Sequence, residues 1–364
     1  MSRPRPALAV LPVLPFLSLL LFQPPTPGEA AASGHFSMSG EQVHIYNLVG
    51  RVEVGPGPGS SVTVDLAPGG QDAAQLGTRT WSDQGTFFVV TYPSDHLSSR
   101  GLGWGAGSSS SFKIARDGTF GDHPKRGGWL GRQVRVDGKG GGLEAWCDLK
   151  IAVPRGQRVS IHLGVGTMNA TNVDGDIVLD ASSANVSANR SSGRLLVDTG
   201  SGNIAVADSR GEITLDSGSG LIRASGLNAG TLVLDTGSGS VTVDAASAAR
   251  ITADTGSGRI ALSGISCPNL HIDTGSGGVH VGLIADVDEL YVDTGSGSVT
   301  IQAPPTLGAA LHFETGSGGI DCDFPLRIVD RNEDTLNATL GDGRGRIVID
   351  TGSGDLRLIR LAAR

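Results

Sequence analysis

The stretch LVLDTGSGSVTV, residues 232–243, places Asp-Thr-Gly-Ser after a hydrophobic run, as in the active-site loop of an aspartic protease. Such an enzyme needs two carboxylates that share one proton. This chain has far more than two such units. Six read DTGSG and two are close variants, and they begin at Asp198, Asp216, Asp235, Asp254, Asp273, Asp293, Glu314 and Asp350. The repetition favours structural turns over a catalytic pair, so we predict that the chain is not an enzyme.

The units recur with a short and nearly constant period. From His162 to Glu314 the equivalent positions, called anchors below, are 18 to 21 residues apart. The residues three and one before each anchor, and six and eight after it, are apolar in every unit. Alternation with a period of two indicates strands with one buried face. A fixed period of this length is typical of stacked repeats.

Each unit is therefore predicted to be a strand, a tight TGSG turn and a second strand. We attribute the two glycines to positive φ, and expect the aspartate carboxylate to accept a backbone N–H two residues on. One unit cannot bury enough apolar surface alone, so the coils must stack. The predicted fold is an all-β solenoid, like a parallel β-helix, of about nine to ten coils. Antiparallel hairpins are the alternative, since the turn is short enough for them.

The repeats divide the chain into predicted regions. Residues 33–158 lack DTGSG, contain all four tryptophans and are predicted to be an irregular β cap, with a mobile Gly/Ser-rich insertion at 94–128. Residues 159–324 form the solenoid. Residues 325–364 are predicted to be an irregular segment followed by a closing coil, Ile347–Leu358, as a second cap.

The N-terminus predicts the location of the protein. Residues 1–32 combine arginines, an apolar run and an Ala-x-Ala site, which is typical of a secretory signal peptide. Cleavage after Ala32 would leave no transmembrane span, and an uncleaved anchor is the alternative. In either case the protein is expected to be extracytoplasmic: periplasmic, secreted or at the cell surface. The net charge of −8 argues against nucleic acid as a partner. Cys147, Cys267 and Cys322 are too few for a disulfide framework, and their pairing stays open.

The anchor aspartates are candidate calcium ligands. In a parallel stack their carboxylates lie about 4.8 Å apart and repel one another. Calcium that bridges carboxylates and turn carbonyls would relieve the repulsion. The candidate ligands are Asp198, Asp216, Asp235, Asp254, Asp273 and Asp293. The alternative is that each aspartate is held by turn N–H groups and solvated, and no cofactor other than calcium is predicted.

A second candidate site lies two residues before the anchors. His271, Tyr291 and His312 occupy this outward position on three successive units. They are candidates for a carbohydrate or metal patch. The alternative is ordinary cross-strand pairing on a solvated face. We expect no column of arginine or lysine beside the aspartates.

The sequence also resembles a known family. VHIYNLVGRVEV, LKIAVPRGQRVSIHLGVGTMNA and the DTGSGxV units are similar to secreted bacterial proteins with β-strand repeats, which are classed as candidate adhesins or as a domain of unknown function. The resemblance implies an extracytoplasmic solenoid-like fold and supplies no catalytic residues.

The expected function is a rigid structural or adhesion protein of the cell envelope. It would present a binding face to an unknown surface, polysaccharide or protein ligand. The alternatives are a periplasmic sensor or regulatory module and a polysaccharide-acting β-helix enzyme.

Overall fold

A computed structural model describes residues 34–99, 108–121, 131–138 and 140–361. The predicted signal peptide and parts of the predicted insertion lie outside these ranges. The first strands are β1 (His35–Met38), β2 (Gln42–Pro56), β3 (Val62–Gly69), β4 (Gly77–Ser82), β5 (Thr86–Thr91), β6 (His96–Ser98), β7 (Ser109–Ile114), β8 (Arg132–Asp137) and β9 (Trp146–Val153). A 3-10 turn, Ala73–Gln75, precedes β4.

The remaining strands belong to the repeats and the C-terminal segment. They are β10 (Gln157–Thr171), β11 (Asp174–Asn189), β12 (Ser192–Thr199), β13 (Ile204–Ala207), β14 (Arg210–Ser217), β15 (Ile222–Thr236), β16 (Val241–Thr255), β17 (Ile260–Ser266), β18 (Asn269–Thr274), β19 (Val279–Leu283), β20 (Glu289–Thr294), β21 (Val299–Ala303), β22 (Ala309–Thr315), β23 (Ile320–Cys322), β24 (Leu326–Arg331), β25 (Thr335–Leu340), β26 (Gly345–Thr351) and β27 (Leu356–Arg360).

The strands of the repeats pair in parallel and in register, coil upon coil. Val241, for example, pairs with Ile222 on one side and with Ile260 on the other. All three side chains are fully buried. Like residues thus stack in columns that run through successive coils, and the core lies along the inward face of these columns. The predicted all-β chain with parallel stacked strands is confirmed, and the antiparallel alternative does not hold for these repeats.

The threonine after each anchor closes the TGSG corner. The Thr255 hydroxyl donates to the Gly239 carbonyl of the preceding coil at 2.8 Å and accepts the Gly258 N–H at 3.1 Å. The same two bonds recur at Thr199, Ser217, Thr236, Thr274, Thr294, Thr315 and Thr351. We predicted that the aspartate carboxylate fixes the turn by accepting a backbone N–H. The buried hydroxyl fixes the turn instead.

The turn glycines are required by close stacking rather than by backbone conformation. Among the described glycines with positive φ, none lies in a TGSG turn, so that prediction is wrong. A Cβ on Gly258 would instead lie 1.7 Å from the carbonyl oxygen of Gly239 in the neighbouring coil. Positive φ occurs ten residues after the anchor, for instance at Asp208, Gly226 and Ala245, where the chain bends again.

The N-terminal region contributes to the stack and adds a separate sheet. β2 pairs in parallel with β10, which places Tyr46 beside His162. β6, β7 and β8 form a three-stranded sheet. The described part of the insertion predicted at 94–128 packs against the core, since Phe112 and Phe120 are buried there.

The predicted closing coil lies inside the stack. β26 pairs with β20 on one side and with β22 on the other, so Asp350 lies between Asp293 and Glu314. β27 likewise lies between β21 and β23. This coil carries the complete DTGSG motif and can stack on both sides. β22, in contrast, pairs on its far side with the antiparallel strand β25.

The three cysteines are unpaired. Cys147 and Cys267 are buried, whereas Cys322 is half-buried because its strand lies in the last coil of the stack.

Candidate functional site

The parallel register brings the anchor carboxylates into one outward column. Each anchor lies directly beside the anchors of the two neighbouring coils. The column reads Asp180, Asp198, Asp216, Asp235, Asp254, Asp273, Asp293, Asp350 and Glu314. It contains the six predicted aspartates and adds three further carboxylates. Adjacent members are separated by about 4.8 Å, the spacing of paired strands.

The carboxylates of this acidic column disfavour one another's charge. Burial, followed by the neighbouring carboxylate of Asp235, raises the pKa of Asp216. Burial and then Asp273 and Asp235 raise the pKa of Asp254, and Asp350 is raised in the same way by burial, Asp293 and Glu314. Closely spaced carboxylates favour ligands that donate hydrogen bonds or carry positive charge, because such ligands stabilise the charged form.

Aromatic rings close the N-terminal end of the acidic column. His162 Nδ1 lies 2.7 Å from the Asp180 carboxylate. The His162 ring stacks on Tyr46 with a centroid distance of 4.2 Å, and Phe120 meets Tyr46 edge-on at 5.6 Å. Burial and the Asp180 charge raise the pKa of Tyr46 well above its ordinary value. Tyr46, His162 and Phe120 are all buried, so these packed rings limit access to this end.

Two of the three predicted patch residues are adjacent. The rings of His271 and Tyr291 are nearly parallel, with centroids 4.8 Å apart and an interplanar angle of 10°. The Tyr291 hydroxyl donates to Asp293 at 3.2 Å, which links this ring pair to the acidic column.

His312 does not join the pair, so the predicted row on three successive coils is wrong. Val348 of β26, in the closing coil Ile347–Leu358, pairs with Tyr291 on one side and with His312 on the other. His312 Nδ1 instead lies 2.7 Å from the Asn337 side-chain oxygen.

A column of alternating charge, missed from the sequence, lies four residues before the anchors. Its members are Arg158, Asp176, Arg194, Glu212, Thr231, Arg250, Asn269, Glu289 and Arg346. Arg158 lies 3.6 Å from Asp176, and Arg346 lies 3.9 Å from Glu289. Arginines thus recur in this column, but acidic or neutral residues separate each of them from the next, so the described residues hold no continuous arginine column beside the aspartates. The alternating signs at this position were the signal available in the sequence.

The described residues were also compared with the requirements of a metal site and of a membrane-spanning helix. Within the described part of the chain, no group of three or more His, Cys, Asp or Glu residues is arranged to hold a metal ion. Calcium at the acidic column therefore stays a prediction, limited to bridges between neighbouring carboxylates. None of the described helical segments is long and apolar enough to cross a membrane.

Parallel coils that stack in register, with outward side chains aligned in columns, define a solenoid-like all-β protein. The chain belongs to the Toastrack DUF4097 family, whose model matches residues 149–358. The resemblance noted from the sequence motifs is thereby confirmed at the level of the family. No curated protein matches the chain.

The chain is also similar to solved structures. A candidate adhesin from Parabacteroides distasonis has 12% identity and a TM-score of 0.43, with 91% of this chain and 98% of that chain covered. A candidate adhesin from Parabacteroides merdae has 11% identity and a TM-score of 0.42, with 90% and 95% covered. A candidate cell adhesion protein from Clostridium sporogenes has 9% identity and a TM-score of 0.21, with 91% and 100% covered.

Proposed function

We propose that this chain is a non-enzymatic, extracytoplasmic adhesion protein that binds polysaccharide along its outward face. The observation that carries the proposal is the stacked pair His271–Tyr291 beside an unbroken row of carboxylates. The parallel ladder holds these groups on a rigid sheet. Ligand groups therefore meet a preorganised surface, and little ordering entropy is lost on binding.

The chemistry of the face favours a neutral or amine-bearing polysaccharide. The carboxylates accept hydrogen bonds from sugar hydroxyl groups, and charge-assisted bonds of this kind are the stronger ones. Because His271 and Tyr291 stack face to face, their edges are the parts that can reach a ligand. An imidazole N–H is then available as a donor beside the carboxylates, and the Tyr291 hydroxyl, whose proton goes to Asp293, is available as an acceptor. A polyanion would be repelled by the acidic column and by the net charge of −8.

A glycan array tests this proposal. The parent chain is expected to bind neutral or amine-bearing polysaccharides, and Tyr291→Ala and His271→Ala are expected to weaken binding about tenfold or more, the equivalent of 1.4 kcal/mol. Thr214→Ala is the matched control, because Thr214 occupies the same outward column three coils before His271. Binding restricted to polyanions, or equal binding by Tyr291→Ala and Thr214→Ala, would contradict the proposal.

Calcium is the second part of the proposal. The support for it is the raised pKa of Asp254 and Asp350, since a bridging divalent ion would relieve the repulsion that contributes to the raised values. Calcium would in that case stabilise the folded stack and preserve the spacing of the acidic column.

A further inference from the structure

The C-terminal end of the stack finishes in a free strand edge. β22 pairs with β25, and β25 pairs in turn with β24, both in antiparallel orientation. Within the described ranges β24 pairs with β25 alone. The backbone N–H and C=O groups along its outer edge are therefore available to another strand.

The side chains of this edge are unusually exposed for their type. All residues of β24 after Leu326 are exposed. Ile328 is 52% exposed and Val329 is 75% exposed, and with Ile284 they are the exposed large aliphatic side chains of the described chain. Two adjacent exposed branched residues on a free edge are typical of a surface that another strand covers.

The sequence of β24, LRIVDR, complements itself. When two copies are laid antiparallel with Ile328 opposite Val329, Arg327 of each copy lies opposite Asp330 of the other. A two-fold axis repeats the contact, as in any isologous interface. Opposite charges placed directly across a strand pair stabilise it. Within the described chain neither Arg327 nor Asp330 takes part in an ion pair.

The same edge disfavours other strands. The register between β24 and β25 shifts between Ile328 and Asp330, which leaves Val329 as an extra, bulged residue. Charged residues on an edge oppose indiscriminate pairing. Only a strand with the reversed charge order turns those charges into attractions, and a second copy of β24 supplies that order.

We propose that a second copy of this chain docks on β24 to form a two-fold dimer of solenoids through antiparallel edge pairing. The contact is six residues long on each side, which is small for a stable interface, so the dimer is expected to be in exchange with monomer. The two stacks would then extend away from a shared end, and each outward face would stay accessible.

Sedimentation equilibrium of the full chain over a range of concentrations tests the dimer. The weight-average mass of the parent is expected to rise with concentration toward twice that of the monomer. Val329→Lys and Arg327→Asp are each expected to weaken association about tenfold or more, whereas the control Ile284→Lys, on an equally exposed residue outside β24, leaves it unchanged.

Charge reversal gives the sharper test. Asp330→Arg alone is expected to weaken association, and the double variant Arg327→Asp with Asp330→Arg is expected to restore it, because the pair is complementary in either order. Far-UV circular dichroism checks that each variant is folded. A parent that stays monomeric at every concentration, or a double variant that associates no better than the single ones, would overturn the proposal.

Discussion

Thr255→Val tests the hydroxyl that closes each corner. Valine keeps the shape of the side chain but removes a 2.8 Å hydrogen bond to the Gly239 carbonyl and a 3.1 Å bond from the Gly258 N–H. Both backbone partners lie in buried glycines, and a buried polar group left without a partner costs about 1–3 kcal/mol. We expect the free energy of unfolding to fall by about 3 kcal/mol.

Urea unfolding followed by circular dichroism measures the loss as a lower midpoint with an unchanged slope. Thr252→Val is the control, since Thr252 lies on the outward face and its replacement is expected to change stability by about 0.5 kcal/mol or less. Thr255→Ser keeps the hydroxyl, as Ser217 does in its own coil, and should lose about 1 kcal/mol. The reasoning is refuted if Thr255→Val is as stable as Thr252→Val.

Three further predictions concern the stacking and the acidic column. Gly277→Ala puts a Cβ 1.7 Å from the Gly258 carbonyl oxygen, so it should cost about 3 kcal/mol or more in the urea assay, whereas Gly278→Ala, with 3.5 Å to its nearest atom, should be tolerated. Burial and the neighbouring carboxylates raise the pKa of Asp254 in the folded state, so the folded state binds the carboxyl proton more tightly than the unfolded state does. The stability that this group contributes is therefore present at acid pH and is lost as the pH rises through the raised pKa. Asp254→Asn should therefore be at least as stable as the parent at neutral pH and lose that advantage on acidification, as followed by thermal melts. If calcium bridges the acidic column, a chelator should lower the melting temperature and calcium but not magnesium should restore it, whereas identical melts would leave the column without calcium.

The buried columns of the fold could be predicted because alternation reports the buried face directly. Val241 between Ile222 and Ile260 needed only the period and the parallel register. The role of the turn glycines could not be predicted, because a glycine required by positive φ and one required by close contact look alike in a sequence. Gly258 belongs to the second kind.

The spatial order of the last coils, with the coil of Asp350 between those of Asp293 and Glu314, could not be predicted from the sequence for a different reason. The coils of Glu314 and Asp350 carry the same apolar pattern, and stacking depends on that pattern rather than on chain order. The candidate patch failed at the same place, since Val348 separates His312 from Tyr291. The packing of Phe120 on Tyr46 and the burial of Phe112 were missed because the many glycines and serines around them concealed a buried segment.

Isothermal titration calorimetry tests the central claim, that the outward face binds polysaccharide without turning it over. The chain is titrated with a polysaccharide that it binds on the glycan array. We predict saturable heats that return to baseline after each injection, with affinity weakened about tenfold or more in Tyr291→Ala and unchanged in Thr214→Ala. Heat flow that continues after each injection would reveal turnover, and equal affinity in the two variants would place binding elsewhere; either result would contradict the account.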